Sequence, residues 1–221
     1  MARVKIVQMP LALVTCGPAY EPIDEVRRIT NQSTGELGSL LSEALARANF
    51  EVLCLRGEMA IYPSPRDVNV VPFTTNASLL ALLERLSTQP AAVFHVAALC
   101  DFLVHEIEGS DRQGKISSSV SELRLILRPA EKLLPRLRPL FPQAIIVGWK
   151  YEVDGSREHA AARALEQLVS AHTNACVVNG SSYGAGFGFL ARGSEKIRHL
   201  ETKSELCRFL SDWTMKALKR S

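Results

Sequence analysis

The sequence lacks the short motifs by which many enzymes of its size are identified. It contains no G-x-G-x-x-G dinucleotide fingerprint, no Gly-Lys-Ser/Thr phosphate loop and no H-E-x-x-H zinc motif. The first two absences exclude the usual dinucleotide and P-loop sites, and the third argues against a zinc hydrolase. No cysteine and histidine cluster has metal-ligand spacing either, so we expect no metal ion held by protein side chains alone.

Charge of one sign and long apolar runs are also missing. The formal net charge is +3 and the basic residues are scattered without a Lys/Arg block, which gives no reason to expect a nucleic-acid partner. No apolar run reaches the roughly 20 residues of a membrane helix. The N-terminus has no signal-peptide core followed by a cleavage site. We therefore expect a soluble, cytoplasmic protein with no membrane partner.

Paired cysteines are absent as well. The five cysteines form no C-x-x-C pair and their number is odd. Several of them lie inside apolar runs that resemble strands. A disulfide framework is typical of small secreted chains with an even cysteine count, so the sequence predicts buried, reduced thiols in a cytosolic protein.

What the sequence does contain is an alternation of apolar and amphipathic segments. The predicted strands are Leu11–Thr15, Phe50–Leu55, Val68–Phe73, Ala91–Ala98, Gln143–Trp149 and Ala175–Asn179. The predicted helices are Leu37–Ala48, Ala77–Leu86, Arg157–Ser170 and Thr202–Leu218. Such alternation is typical of an α/β protein with a mostly parallel, Rossmann-like sheet and helices on both faces. We predict a single domain over residues 1–221.

Two regions break the alternation and predict a small hairpin or flap. Leu123–Arg128 has the pattern of an edge strand or a hairpin arm. Phe187–Leu190 and Ile197–Leu200 suggest a short hairpin near the end of the chain.

The connection after the first strand is rich in residues that can hold a phosphate. Gly17 follows the strand, and Ser33, Thr34 and Gly35 precede the first helix. A glycine turn and a helix start of this kind can direct backbone N–H groups at an anion. The alternative is a Ser/Thr capping box, which uses the same N–H groups. Arg27, four residues (one helical turn) upstream of Asn31, is either a phosphate ligand or a surface arginine.

The fourth predicted strand leads into a segment that suits ligand binding. Ligands of open α/β sheets bind beyond the carboxyl ends of the strands. Ala97 and Ala98 would allow a ligand to approach the backbone closely, and Asp101 could hold a ribose hydroxyl or a metal-bound water. We interpret His95 as a core or supporting histidine rather than a base.

The order and spacing of the residues in these segments are more specific than the chemistry of the single residues. Glu21-Pro22-Ile23-Asp24, then Arg27, then Asn31-x-Ser33-Thr34-Gly35-x-x-Gly38 resembles phosphopantothenoylcysteine synthetase, the coenzyme A pathway ligase that joins 4′-phosphopantothenate to cysteine. The resemblance continues in Ala97-Ala98-x-x-Asp101-Phe102, in the lysine motif at 114–118 and in Val177-Val178-Asn179. It therefore covers nearly the whole chain.

The resemblance implies a role for each site residue. Asn31 would act in turnover of an acyl-nucleotide intermediate, and Lys115 would neutralise the triphosphate or the departing pyrophosphate. Trp149 would flank the nucleobase, and Asn179 would contact the base or the sugar. The implied catalytic residues are Asn31, Lys115 and Arg27. The implied nucleotide-binding residues are Gly17, Ser33, Thr34, Gly35, Ala97, Ala98, Asp101, Lys115, Trp149 and Asn179.

The resemblance also sets the expected ligands and leaves one choice open. It implies 4′-phosphopantothenate, cysteine, and ATP or CTP with Mg²⁺, in a homodimer whose lysine loop reaches the neighbouring site. The CTP-using bacterial version commonly has a second lysine where this chain has Ser117. Many bacterial members also carry lysines on the helix where Gln167 and Ala171 occur here.

Three hypotheses follow. The favoured one is a free-standing ligase, without the flavin-dependent decarboxylase to which this domain is often fused. The second is a catalytically silent nucleotide- or flavin-binding relative, which the missing lysines would suit. The third is a nicotinamide-dependent reductase, against which the absent glycine fingerprint and the absent Tyr-x-x-x-Lys pair both argue.

Overall fold

The structure is a computed structural model that describes residues 9–108, 114–119, 121–194 and 196–220. Its strands, in chain order, are β1 Leu11–Cys16, β2 Tyr20–Pro22, β3 Arg28–Thr30, β4 Glu51–Gly57, β5 Asn69–Phe73, β6 Ala92–His95, β7 Phe102–Ile107, β8 Leu125–Pro129, β9 Ile145–Tyr151, β10 Ala175–Asn179, β11 Phe187–Ala191 and β12 Arg198–Leu200. Its α-helices are α1 Glu36–Arg47, α2 Asn76–Glu84, α3 Leu137–Leu140, α4 Arg157–Ser170 and α5 Lys203–Leu218. A short 3₁₀ turn at Leu134–Arg136 precedes α3.

Eight strands form the central sheet in the order β12-β11-β10-β9-β6-β1-β4-β5. The six strands from β10 to β5 run parallel to their neighbours, whereas β11 and β12 are antiparallel additions at one edge. The order reverses at β1, which pairs with β4 on one side and β6 on the other. Open α/β sheets bind ligands at such a switch point. The predicted mostly parallel sheet is confirmed.

Helices cover both faces of the sheet, as predicted. On one face α1 and α5 pack against alternate residues of the strands, with Leu41 and Leu206 fully buried between them. On the other face α2 and α3 pack over Leu13 and Ile146. The inner parallel strands β1, β6 and β10 are mostly apolar on both sides because both faces are covered.

The hairpins are where sequence and structure differ most. The predicted strand Ala91–Ala98 ends early, at His95, and its last residues continue beyond the carboxyl end of β6 as a loop. The predicted arm at Leu123–Arg128 is β8, and it pairs with β7 outside the central sheet. Arg27, four residues before Asn31, lies in the turn that joins β2 to β3.

The last strands and the cysteines match the predictions. The hairpin near the end of the chain is confirmed as β11 and β12, which extend the central sheet. The five cysteines are free and buried, as predicted. In the described part of the chain, no helix has the length and apolar character needed to cross a membrane.

Candidate functional site

A large cleft opens at the carboxyl ends of the central strands. Its volume is about 1170 Å³. It runs from the turn after β1, past the loops after β6, to the ends of β9 and β10. Ten of the twelve site residues predicted from the sequence line this cleft; the exceptions are Arg27 and Lys115. Residues that the sequence places more than a hundred positions apart are therefore brought together.

One end of the cleft is shaped by three glycines. Gly17 and Gly35 both have left-handed backbones, with φ of 76° and 78°. A Cβ at either position would come within 2.8 Å of the Ala60 Cβ. A Cβ on Gly38 would lie 2.0 Å from the Cβ of Cys16. Because these approaches allow no side chain, the first turn of α1 packs directly onto the turn after β1. We call Gly17, the first turn of α1 and Ala97–Ala98 the glycine cradle.

The N-terminus of α1 has no side-chain cap. Gly35 is its N-cap, and no side-chain hydrogen bond closes the first turn. The Thr34 hydroxyl accepts only the N–H of Glu36, at 3.3 Å. The alternative of a Ser/Thr capping box is therefore wrong. The first turn keeps unpaired backbone donors and the positive end of the helix dipole at the cleft, which is the arrangement that binds phosphate groups.

A buried Thr–His pair supports the opposite wall of the cradle. The Ala97 N–H donates to Thr15 Oγ1 at 3.3 Å, and that oxygen lies 2.9 Å from His95 Nδ1. Burial lowers the pKa of His95 to about 4, so the imidazole is neutral at physiological pH. Thr15 Oγ1 accepts a hydrogen bond from the Ala97 N–H, and the Thr15 hydroxyl proton can be donated to His95 Nδ1. His95 thus supports the wall from the core, as the sequence predicted.

The wall is also fixed by backbone contacts. Ala98 N–H donates to the Gly17 carbonyl at 3.0 Å, and Ala19 N–H donates to the Ala98 carbonyl at 3.0 Å. These bonds continue the pairing of β1 and β6 beyond the ends of the strands. The turn after β1 and the segment after β6 therefore form one unit.

Asn31 lies at the rim of this unit. Its Nδ2 donates to the Leu99 carbonyl at 2.8 Å, and the side chain lines the cleft. A carboxamide nitrogen carries two protons, so the second is free to be donated to a ligand carbonyl. This geometry is compatible with the predicted role of holding a carbonyl, and also with a purely local role in fixing the loop.

The other end of the cleft is aromatic and polar. Trp149 and Tyr151 from β9 and Asn179 from β10 line it. Gln167 donates from Nε2 to the Trp149 carbonyl at 3.0 Å. It occupies one of the two helix positions at which the family resemblance implied a lysine. An aromatic side chain beside amides is suited to a planar, polar group such as a nucleobase.

The cleft is also lined by four cationic side chains that were not identified as site residues from the sequence. Each of them is paired with a carboxylate: Lys132 with Asp101, Lys150 with Glu152, Arg163 with Glu166, and Lys203 with Glu36. Four side chains from four separate segments give no local sequence signal. Only their convergence on the cleft identifies them.

Arg27 and Lys115, the two predicted catalytic residues outside the cleft, lie in segments that contact each other. Arg27 pairs with Asp24 through Nη1 and Oδ2 at 2.5 Å. The same guanidinium donates to the Ile116 carbonyl from both Nη1 and Nη2 at 3.2 Å. Lys115, the preceding residue, is exposed. We call residues 114–119 the lysine loop.

The segment after β10 contains a nucleophile motif that was not identified from the sequence. The motif does not form a nucleophile site here. Gly180-Ser181-Ser182-Tyr183-Gly184 has the form G-x-S-x-G, which in α/β-hydrolases presents a nucleophilic serine on a strand-to-helix turn. Here the segment leads from β10 into another strand, β11. Ser182 is buried and its hydroxyl donates to the Ser156 carbonyl at 3.0 Å. The segment is a structural turn.

Most of the chain matches a known protein family. Residues 8–207 match the family of the DNA/pantothenate metabolism flavoprotein C-terminal domain. The chain is 30% identical over 194 residues to a cysteine/cysteine sulfinic acid decarboxylase from an unknown prokaryotic organism, covering 85% of this chain and 52% of that protein. It is 31% identical over 167 residues to the coenzyme A biosynthesis bifunctional protein CoaBC of Methanocaldococcus jannaschii, covering 76% of this chain and 40% of that protein. The chain thus spans about half the length, or less, of these relatives.

Solved structures share the fold. A DNA/pantothenate metabolism flavoprotein from Streptococcus pneumoniae superposes with a TM-score of 0.82 at 23% identity, covering 94% of this chain and 99% of that one. A Cab2 mutant in complex with phosphopantothenate-cysteine superposes with a TM-score of 0.72 at 17% identity, covering 96% of this chain and 87% of that one.

Proposed function

Because the chain belongs to the family of the DNA/pantothenate metabolism flavoprotein C-terminal domain, we propose that it is a phosphopantothenate–cysteine ligase. The observation that carries the proposal is the uncapped start of α1 packed on the Gly17 turn, within the cleft that also holds Asn31. The substrates are 4′-phosphopantothenate, cysteine, and ATP or CTP with its Mg²⁺.

The reaction has two steps. The phosphopantothenate carboxylate attacks the α-phosphate of the nucleotide, and pyrophosphate leaves. The cysteine amine then attacks the carbonyl of the acyl-nucleotide, forms the amide and releases the nucleoside monophosphate. Groups that bind most strongly to the charge that develops in each step contribute most to the rate.

The glycine cradle is suited to the phosphate end of the nucleotide. The donors of the first turn of α1 would bind phosphate oxygens, and Ala97 and Ala98 leave room for them. The Trp149 end would then receive the base. The paired lysines of the cleft, Lys132 and Lys203 among them, can exchange their carboxylate partners for phosphate oxygens when the nucleotide binds.

We place the lysine loop over the cleft of a second copy in a homodimer. Two observations support this. Lys115 does not line the cleft of its own chain. The β7–β8 hairpin beside the loop exposes Phe102, Ile126 and Leu127 by 52%, 39% and 40%, which is a surface that a partner would cover.

Pyrophosphate release tests the proposal. With Mg²⁺, 4′-phosphopantothenate and cysteine, the folded protein should release pyrophosphate from ATP or from CTP, and the preferred nucleotide identifies the base that the Trp149 end accepts. Release from neither nucleotide, in a preparation with a cooperative unfolding transition, contradicts the ligase function.

A silent relative is the second candidate, and two observations favour it. Gln167 replaces a lysine, and the four cleft cations are all neutralised by carboxylates. Such a protein would bind nucleotide without releasing pyrophosphate, so calorimetric binding measured beside the release assay separates the two candidates.

A further inference from the structure

The carboxylate of Asp24 joins two segments that lie far apart in the sequence. Its Oδ1 accepts the N–H groups of Val26 and Arg27 at 2.9 and 2.7 Å, which shapes the turn between β2 and β3. Its Oδ2 accepts the N–H of Ile116 at 3.1 Å. One side chain thus fixes both its own turn and the lysine loop, 92 positions away.

Arg27 completes the same contact from the other side. Its guanidinium is paired with Asp24 and donates to the Ile116 carbonyl. The backbone N–H and C=O of Ile116 are therefore both held, by a carboxylate and a guanidinium that also hold each other. Hydrogen bonds that involve a charged partner are roughly twice as strong as neutral ones.

Burial and charge both indicate a built contact. The Asp24 side chain is fully inaccessible and Arg27 retains 35% exposure. Burial raises the pKa of the Asp24 carboxyl, but the N–H donors of Val26, Ile116 and Arg27 and the guanidinium charge outweigh burial and lower that pKa. The carboxylate is thus ionised at neutral pH. An ionised, inaccessible carboxylate is costly unless it is fully partnered.

We propose that Asp24 and Arg27 are positioning residues that hold the lysine loop against the β2–β3 turn and so fix where Lys115 is presented. Ile116 follows Lys115 directly, so their Cα atoms are only about 3.8 Å apart. The contact is to the Ile116 backbone, so it fixes the position of the loop rather than recognising a side chain. Arg27 acts through Lys115, not as a phosphate ligand. The chemical role of Lys115 rests on the proposed function; the contact itself does not.

Hydrogen exchange tests the contact without any assay of activity. In Asp24→Asn the Ile116 amide loses its charged acceptor, and we expect its exchange to accelerate by about tenfold or more. Arg27→Lys, which keeps the charge but cannot bridge Asp24 and the Ile116 carbonyl, should give a smaller increase. Glu25→Gln is the matched control, since Glu25 is an exposed carboxylate in the same turn, and should exchange like the unmodified protein.

A double-mutant cycle tests the positioning role. Asp24→Asn and Arg27→Lys should each lower kcat for pyrophosphate release by roughly 10- to 100-fold, with KM for the nucleotide little changed. In a Lys115→Gln background the same substitutions should cost almost nothing further, because the group that they position is already gone.

The outcomes separate the possibilities. Unchanged exchange at Ile116 in both Asp24→Asn and Arg27→Lys overturns the contact. Faster exchange with fully additive losses of kcat overturns positioning and returns Arg27 to a direct role on the substrate. If the unmodified protein releases no pyrophosphate, the proposed function fails, and the exchange comparison still decides whether the contact holds the loop.

Discussion

The glycine cradle and the lysine loop are held in place by opposite kinds of contact. The cradle is made by the absence of side chains: Gly17, Gly35 and Gly38 let backbones approach where a Cβ would meet another atom at 2.8 Å or less. The loop is held by side chains: Asp24 and Arg27 bind the backbone N–H and carbonyl of Ile116. In the loop a Cβ on Gly114 would meet nothing within 4 Å.

This difference predicts how each region responds to change. A region fixed by close backbone packing is coupled to the core, so altering it costs stability. A region fixed by a few polar contacts can change position at little cost to folding. Substitutions in the cradle should therefore alter stability first, and substitutions in the loop should alter the reaction first.

The largest effect should come from Gly38→Ala. The added Cβ would lie 2.0 Å from the Cβ of Cys16, so α1 must move away from β1, and we expect a loss of about 4 kcal/mol in the free energy of unfolding. Gly114→Ala is the matched control in the loop and should cost about 1 kcal/mol, from its positive φ alone. Urea titration measures both. Equal losses would remove the contrast between the two regions.

The next effect should come from Lys115→Gln. Removing the charge should raise the barrier to pyrophosphate release by about 2–4 kcal/mol, or roughly 30- to 1000-fold in rate. The midpoint of urea unfolding should barely change, because an exposed lysine contributes little to stability. An unchanged rate would exclude the lysine from the mechanism.

Mixing two inactive variants sharpens this prediction. If the loop serves the cleft of a second copy, Lys115→Gln and Asn31→Asp proteins should recover activity when mixed, since each mixed dimer then has one site with both native residues. Subunit exchange must first be shown with tagged proteins. Exchange without recovery would place the loop over its own chain's cleft.

A smaller effect should appear on lowering the pH. The pKa of His95 is about 4 in the fold and 6.5 ordinarily, so the unfolded chain binds more protons between these values. Stability should therefore fall as the pH drops through this window, by about 2 kcal/mol from pH 7.5 to pH 5.

Two variants isolate that effect. His95→Asn keeps an acceptor for the Thr15 hydroxyl but does not titrate, so its stability should fall less over the same window. His159→Gln, which replaces an exposed histidine, should retain the full loss. A pH dependence that is equal in all three proteins would show that His95 is protonated as readily in the fold as in the unfolded chain.

Much of the scaffold could be predicted from the sequence because its signals are local. The continuous apolar runs of β1, β9 and β10 and the amphipathic periods of α1 and α4 identify buried strands and surface helices directly. β7 was missed because its sequence, Phe102–Ile107, has no regular alternation of apolar and polar residues, and because it pairs with β8 outside the central sheet. Its two buried residues, Val104 and Ile107, lie three positions apart, which is not the period of a strand.

The part of the site that is formed by the backbone could be predicted from the sequence. The part that is formed by side chains from distant segments could be predicted less well. Gly17, Gly35, Ala97 and Ala98 were identified because small residues after strands have a local meaning. Lys150 and Lys203 were not, since a single cation is usually a surface residue. The turn that presents Arg27 was not predicted, because the Asp24 side chain shapes it.

The most direct test of the account is capture of the acyl-nucleotide on Asn31→Asp. With phosphopantothenate, Mg²⁺, cysteine and the preferred nucleotide, this variant should complete the first step and stall before the second. Mass spectrometry of the bound fraction should then show one phosphopantothenoyl-nucleotide per site, while the unmodified protein shows product. Normal turnover by Asn31→Asp, or no intermediate and no pyrophosphate from either protein, would contradict a ligase built on this cleft.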